Sequence, residues 1–210
     1  MSLNVTSQDL FLVIDPQRDF CSGGSLAVPD GESVIPLINH LALRFQHVIL
    51  TQDWHPAHHS SFASSNPGRK PYETIRAPYG PQTLWPDHCI QGSEGAGFHP
   101  DLDIPQAELI LRKGFRAEID SYSAFLENDK TTPTGLAGYL RERGLNRIFL
   151  AGLAYDYCVR YSATDGQRLG FECLVIEDAC RAINLGGSVD ATNREFAAAG
   201  IPGVLSRQIL

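Results

Sequence analysis

The 210-residue chain has no apolar run long enough to span a bilayer. It also lacks any cluster of Lys and Arg and any interleaving of basic with aromatic residues. With 17 Lys and Arg against 24 Asp and Glu, the net charge is -7. That balance argues against nucleic acid or an anionic membrane as partner. Cysteine is sparse and unpaired: five residues, at 21, 89, 158, 173 and 180, an odd number without close spacing. Reduced thiols in a cytoplasmic protein account for this better than a disulfide framework. Residues 1–10 are polar and show no signal-peptide pattern. Internal repeats and low-complexity segments are missing too. What is present is a 43% hydrophobic chain of a length that suits one domain, 1–210.

Apolar runs recur along it and read as buried strands: Phe11 to Asp15, Val48 to Asp53, Glu108 to Arg112, Arg147 to Ala151, Glu172 to Glu177 and, last, Gly203 to Arg207. Helical patterns lie between them, over about 31–45, 135–143 and 188–199. A further helix follows the fourth strand, where Cys158, Val159, Ser162, Ala163, Gly166 and Leu169 recur at helical spacing. Strands alternating with helices predict an α/β fold: a doubly wound, mainly parallel sheet of six strands with helices on both faces, Rossmann-like in three layers. From about 54 to 105 the chain reads as irregular. This stretch holds eight of the thirteen prolines and five of the seven histidines. A loop that long inside a compact domain is usually functional or disordered, and its aromatic residues favour function.

In parallel sheets ligands bind beyond the carboxyl ends of the strands. That rule selects Asp15, Asp53 with His55, Lys113 and Cys158, all placed by the pattern on one sheet edge. Each has an ordinary alternative. Asp15 could cap a turn, Lys113 could be a solvated lysine beside Gly114, and Cys158 could be a small core residue. Together an acid, a lysine and a cysteine make a nucleophile, a base and an orienting charge. A helix N-terminus would also favour the thiolate. On an extended segment Asp53 and His55 share a face, and carboxylate plus imidazole suits zinc, iron or manganese. His88, in Trp85-Pro86-Asp87-His88-Cys89, is the best third ligand. His58, His59 and His99 read as ordinary loop residues. Phe20, Trp85 and Tyr122 could wall an aromatic slot or merely pack on the core.

These stretches resemble the nicotinamidases, also called pyrazinamidases, within the isochorismatase-like cysteine hydrolases. The resemblance rests on Val13-Ile14-Asp15-Pro16-Gln17-Arg18-Asp19-Phe20 with Gly23-Gly24-Ser25-Leu26-Ala27-Val28, on Thr51-Gln52-Asp53-Trp54-His55-Pro56 and on Leu84-Trp85-Pro86-Asp87-His88-Cys89. It continues through Lys113-Gly114, Asp120-Ser121-Tyr122-Ser123-Ala124-Phe125 and Gly152-Leu153-Ala154-Tyr155-Asp156-Tyr157-Cys158-Val159. It implies a triad of Asp15, Lys113 and Cys158. It implies one divalent metal on Asp53, His55 and His88, zinc first with iron or manganese as alternatives, in the long loop at about 54–105. It implies a cis peptide between Leu153 and Ala154 that turns the Ala154 N–H toward the oxyanion, beside that of Cys158. Phe20, Leu26, Trp85 and Tyr122 match the family's ring-binding wall.

The activity so implied is hydrolysis of nicotinamide to nicotinate and ammonia, and of pyrazinamide to pyrazinoate, in cytoplasmic NAD salvage. The alternatives are a related cysteine amidohydrolase on another small amide, a hydrolase working through metal-bound water, and a binding module that senses pyridines. The partner is a small molecule, and the sequence leaves a homo-oligomer open. Three positions depart from the family pattern. Arg18 stands where Asn is usual, Ser61 where some relatives carry a fourth, histidine ligand, and Tyr155 where Thr is common.

Overall fold

The structure, a computed structural model, describes residues 2–210. Six strands form one all-parallel sheet: β1 (Asp9–Ile14), β2 (His47–Asp53), β5 (Leu109–Lys113), β6 (Arg147–Leu153), β7 (Glu172–Arg181) and β8 (Gly203–Val204). Their order across the sheet is β5-β2-β1-β6-β7-β8. The chain winds outward from β1 in both directions, so the crevice between β1 and β6 is the switch point where such sheets bind ligands.

Alternate residues of the central strands face opposite layers. Phe11, Val13, Phe149 and Ala151 pack under α1 (Ile35–Ala42). Leu10, Leu12, Ile148 and Leu150 pack under α2 (Leu136–Glu142), α3 (Arg160–Arg168) and α4 (Ser188–Ala199). The sheet is thus covered on both faces, as expected, but unequally. On the α1 side much of the cover comes from the long segment after β2, through Trp85, Cys89, Ala96 and Ile104. The prolines there leave no room for a second helix, and single apolar anchors do the burying instead.

Three local expectations need correction. The irregular segment contains a hairpin, β3 (Thr74–Ala77) with β4 (Gly80–Thr83). Its strands have four residues each and one contains Pro81, too little periodicity to read. Strand β7 continues past Glu177 to Arg181, because a register shift between Leu150 and Gly152 lets Cys180 and Arg181 pair with Gly152 and Leu153. The last strand stops at Val204, and Ser206–Gln208 turns into a 3-10 helix tied to the Asp178 carboxylate by the Ser206 amide and hydroxyl. All five cysteines are free and buried, in keeping with reduced thiols. No helix among the described residues is long and apolar enough to cross a membrane.

Gly152 lies opposite Ile14 at the irregularity, with φ +120°, and a Cβ there would stand 2.1 Å from the Ile14 carbonyl oxygen. Gly144 also has positive φ, +68°, but has open space around it. Gly152→Ala should therefore lower unfolding free energy by about 3 kcal/mol or more, and Gly144→Ala by about 1 kcal/mol. Chemical denaturation of both variants checks this; equal losses would mean that the Ile14 contact is not what requires glycine.

Candidate active site

Four strand ends supply the groups singled out from the sequence. Asp15 follows β1 and adopts the left-handed region at φ 46°, which aspartate tolerates better than most residues. The Thr51 hydroxyl of β2 accepts the Asp15 N–H at 3.0 Å and donates to Asp15 Oδ1 at 2.6 Å, fixing the carboxyl group. Asp53 ends β2, and Lys113 ends β5 directly opposite it in the parallel register. Cys158 lies beyond β6, within a π-helical turn, Tyr155–Val159, that leads into α3. Such turns recur at functional sites. The peptide between Leu153 and Ala154 is cis.

Lys113 is the hub of this edge. Its ammonium donates to Asp53 Oδ1 at 2.5 Å, to the Ser121 carbonyl at 3.2 Å and to Cys158 Sγ at 3.3 Å. Asp15 Oδ2 pairs with the same ammonium at 2.8 Å and has no other partner, so a lone pair stays open on it. Ligating atoms of Asp15, Asp53 and Cys158 lie within 4.8 Å of one another.

The electrostatics separate the two carboxylates. Burial pushes the Asp15 pKa up, against the pull of Lys113 and with the help of the Asp53 charge. Asp53 also loses solvation, but Lys113 and His55 outweigh that and hold it well below the usual range. Asp53 therefore stays charged while Asp15 can take a proton. Burial pushes the Cys158 thiol well up, with Lys113 acting against it. Desolvation outweighs the groups that favour a thiolate here, so the thiol needs a base to lose its proton.

Asp53, His55 and His88 form the second cluster. Nδ1 of His55 lies 2.8 Å from the Gly114 carbonyl and Nδ1 of His88 2.8 Å from the Pro86 carbonyl. A carbonyl only accepts, so each Nδ1 carries the hydrogen and each Nε2 presents a lone pair. Both lone pairs converge on Asp53 Oδ2, at 3.4 and 3.6 Å. Two imidazole nitrogens and a carboxylate oxygen, oriented through backbone carbonyls, are the donor set of a divalent metal site. Gly114 makes the packing possible, since a Cβ there would stand 2.4 Å from the His55 ring.

Between the clusters lies a small, partly open cavity. Phe20, Leu26, Trp85 and Tyr122 all line it, with Ala154 and Cys158. Leu153 is buried in the core beneath. The Tyr122 hydroxyl accepts from Trp85 Nε1 at 3.0 Å, locking the two rings together.

Several residues here were not singled out from the sequence. Tyr157, Asp120 and Ile183 line the cavity too. Tyr157 adjoins Cys158 and packs edge-on against Trp85 at 4.8 Å. Ile183 belongs to the loop after β7 and gave no signal; its N–H is held by the Asp156 carboxylate at 3.0 Å. His58 is exposed, as a loop residue would be, but His59 is fully buried with its ring 4.4 Å from that of His55. Ligating atoms of His55, His59 and Asp120 also group within 4.8 Å. Both His59 nitrogens are engaged, however: Nε2–H donates to the Ile119 carbonyl at 3.2 Å, and Nδ1 accepts from Ser61. Burial pushes its pKa down, which keeps this ring neutral behind the cluster.

The three departures fall outside the cavity lining. Arg18 is exposed beside Gly97. Ser61 is buried against His59. The Tyr155 hydroxyl donates to Asn193 of α4 at 2.7 Å.

Residues 9–204 match the family model of the isochorismatase domain. The nicotinamidase of Acinetobacter baylyi is 50% identical over 199 residues, covering 95% of this chain and 93% of that protein. Among solved structures, an Acinetobacter baumanii nicotinamidase and pyrazinamidase superposes with TM-score 0.95 at 51% identity, over 96% of this chain and 98% of its own. An L. infantum relative solved in complex with nicotinate gives 0.88 at 35%, over 100% and 99%. A pyrazinamidase of Pyrococcus horikoshii in complex with zinc gives 0.78 at 32%, over 94% and 99%. On the fold, the arrangement at the sheet edge and these likenesses, the chain belongs to the isochorismatase family.

Proposed function

We infer that the protein hydrolyses nicotinamide to nicotinate and ammonia, and pyrazinamide to pyrazinoate, as a cytoplasmic enzyme of NAD salvage. The observation that carries this reading is the adjacency of two clusters at one aromatic cavity. Asp15, Lys113 and Cys158 suit an amide carbonyl. Asp53, His55 and His88 suit a heterocyclic nitrogen held through a cation. The half of the alternative in which metal-bound water attacks leaves the open lone pair of Asp15 beside Cys158 without a use.

In this reading Asp15 Oδ2 takes the Cys158 proton as the sulfur attacks the carboxamide carbon. Lys113 stabilises the charge on both partners and keeps Asp53 ionised. The N–H groups of Ala154 and Cys158 serve the oxyanion; each such donor is typically worth about 2.7–4 kcal/mol. Asp15 returns the proton to the nitrogen, ammonia leaves, and a thioester remains. Asp15 then takes a proton from water as its oxygen adds to the thioester carbon. The proton passes back to the departing sulfur, which frees nicotinate and restores the thiol. Phe20, Leu26, Trp85 and Tyr122 hold the ring flat. Asp53, His55 and His88 hold one divalent ion, zinc in our reading, which when bound supplies a Lewis-acid anchor for the ring nitrogen. The 54–105 segment is then the metal-binding loop of a single hydrolase domain over 1–210.

Nicotinamide should be hydrolysed with kcat/KM about 100-fold or more above benzamide, which lacks the ring nitrogen. Equal values in an ammonia-release assay would remove the proposed anchor.

Cys158→Ala should abolish turnover while metal content and nicotinamide affinity stay near those of the unaltered protein. His55→Ala should lose the metal and bind nicotinamide weakly. Metal analysis with calorimetric binding checks both, and turnover by Cys158→Ala near the original rate would favour metal-bound water as nucleophile.

The pH profile follows from Asp15. Its working form is the carboxylate, present above its pKa and lost as pH falls through it. Burial raises that pKa above 3.8, so kcat/KM, measured with metal in excess, should decline on the acid side at a midpoint above 3.8. A flat profile down to that pH would exclude Asp15 as the base.

A further inference from the structure

Asp19 takes no part in the chemistry described above, yet the residue is only 8% exposed and its carboxylate forms no ion pair among the described residues. Its partners are backbone amides instead. Oδ2 accepts the Cys89 N–H at 2.7 Å and Oδ1 accepts the Ser25 N–H at 3.1 Å. Its own amide donates to the Gly95 carbonyl at 3.0 Å, and its carbonyl accepts the Leu26 N–H at 3.0 Å. The turn at Ser25 and the segment at Cys89 therefore meet on one side chain, and the main chain of the same residue holds Gly95 and Leu26.

What those loops carry gives Asp19 its significance. Cys89 follows His88 and is held at φ 46°, a region that costs an ordinary side chain about 1–2 kcal/mol. A charge-assisted hydrogen bond to its amide offsets that cost. The Cys89 carbonyl in turn accepts the His55 N–H at 3.0 Å. Cys89 thus links Asp19 to the backbones of two residues of the Asp53, His55 and His88 cluster. Leu26 follows Ser25 and Phe20 follows Asp19, and both line the cavity. The Phe20 ring also meets the His88 ring at 5.6 Å.

Gly95 completes the cradle. A Cβ there would stand 2.2–2.3 Å from all three atoms of the carboxyl group. Its backbone is outside the left-handed region, so glycine is required by the carboxylate rather than by φ. We propose that Asp19 is a positioning residue that sets where His88, His55 and the Phe20–Leu26 wall stand, and so governs metal retention and KM rather than the chemical step. The proposal rests on the metal-site reading above.

The test uses the single variants Asp19→Asn and Gly95→Ala, together with Asp19→Ala and the double variant Asp19→Ala/Gly95→Ala to close a double-mutant cycle. Asparagine keeps the shape but turns an NH2 toward one of two N–H donors. Gly95→Ala keeps the carboxylate and displaces it, and it reports the same readouts should Asp19→Asn fail to fold. Zinc retention against a chelator, KM and kcat for nicotinamide at saturating zinc, iodoacetamide labelling of Cys158 and the thermal midpoint are measured for each. We expect zinc retention to weaken about tenfold or more and KM to rise about as much in both single variants. At the same time kcat and the labelling rate stay within about threefold. In the double variant the new methyl occupies space the carboxylate has left, so its losses should fall short of the product of the single losses of Asp19→Ala and Gly95→Ala. A lower thermal midpoint with unchanged zinc retention and KM would reduce Asp19 to a structural residue and overturn the proposal. A fall in kcat and labelling would overturn it differently, by placing Asp19 behind the triad. Fully multiplicative losses would remove the Gly95 cradle from it. If the unaltered protein released no ammonia from nicotinamide, the functional reading would fall while the zinc-retention arm still judged Asp19.

Discussion

A single buried ammonium holds this edge of the sheet together. Lys113 is about 1% exposed and touches Asp15, Asp53 and Cys158. Two carboxylates so close to each other and to a thiol could not stay buried without it. Desolvating a lysine is costly, but here the surrounding negative groups outweigh that and raise its pKa well above the usual value. Removing any one partner of such a cluster would strand the others, a loss typically of about 3–5 kcal/mol.

From that charge follows a division of labour. The ammonium donates to Asp53, to a carbonyl and to the sulfur, and it pairs with an Asp15 oxygen that has no other partner. Asp53 is held ionised and turns its second oxygen to two imidazole nitrogens. One lysine therefore sets a carboxylate that can take a proton apart from one held ionised beside two imidazoles. Parallel pairing makes this possible, because the β2–β5 register sets Asp53 directly beside Lys113.

Behind the polar clusters lies a supporting layer that contributes geometry. Thr51 grips Asp15, and the carbonyls of Gly114 and Pro86 orient the two imidazoles. His59 and Phe62 back the same rings from the buried side. Glycine at 114 leaves space for the His55 ring, and glycine at 95 leaves space for the Asp19 carboxylate. These contacts hold the site in place although the chain has few regular elements between β2 and β5.

Much of the fold could be read directly. Five apolar runs became strands near the expected positions, and the pattern over 188–199 became α4. Burial on both faces makes a parallel strand continuously apolar, and that signal is local. The rule that ligands gather at the carboxyl edge then named Asp15, Asp53, Lys113 and Cys158, which the structure brings together. Other features carried no local signal. The extension of β7 depends on an irregular stretch within β7 that brings Cys180 back into register with Gly152, and Ile183 reaches the cavity only because Asp156 holds its loop. His59 reads like its exposed neighbour His58 until the ring of His55 is placed against it. The sequence by itself determined which reactive groups stand at which strand ends, since side-chain identity and strand periodicity are properties of the local chain. Only the tertiary structure decided the proton affinities and the loop anchors: burial raised the pKa of both Cys158 and Asp15, and packing brought the Cys89 amide onto Asp19. Desolvation and long-range hydrogen bonds exist only once the chain has packed.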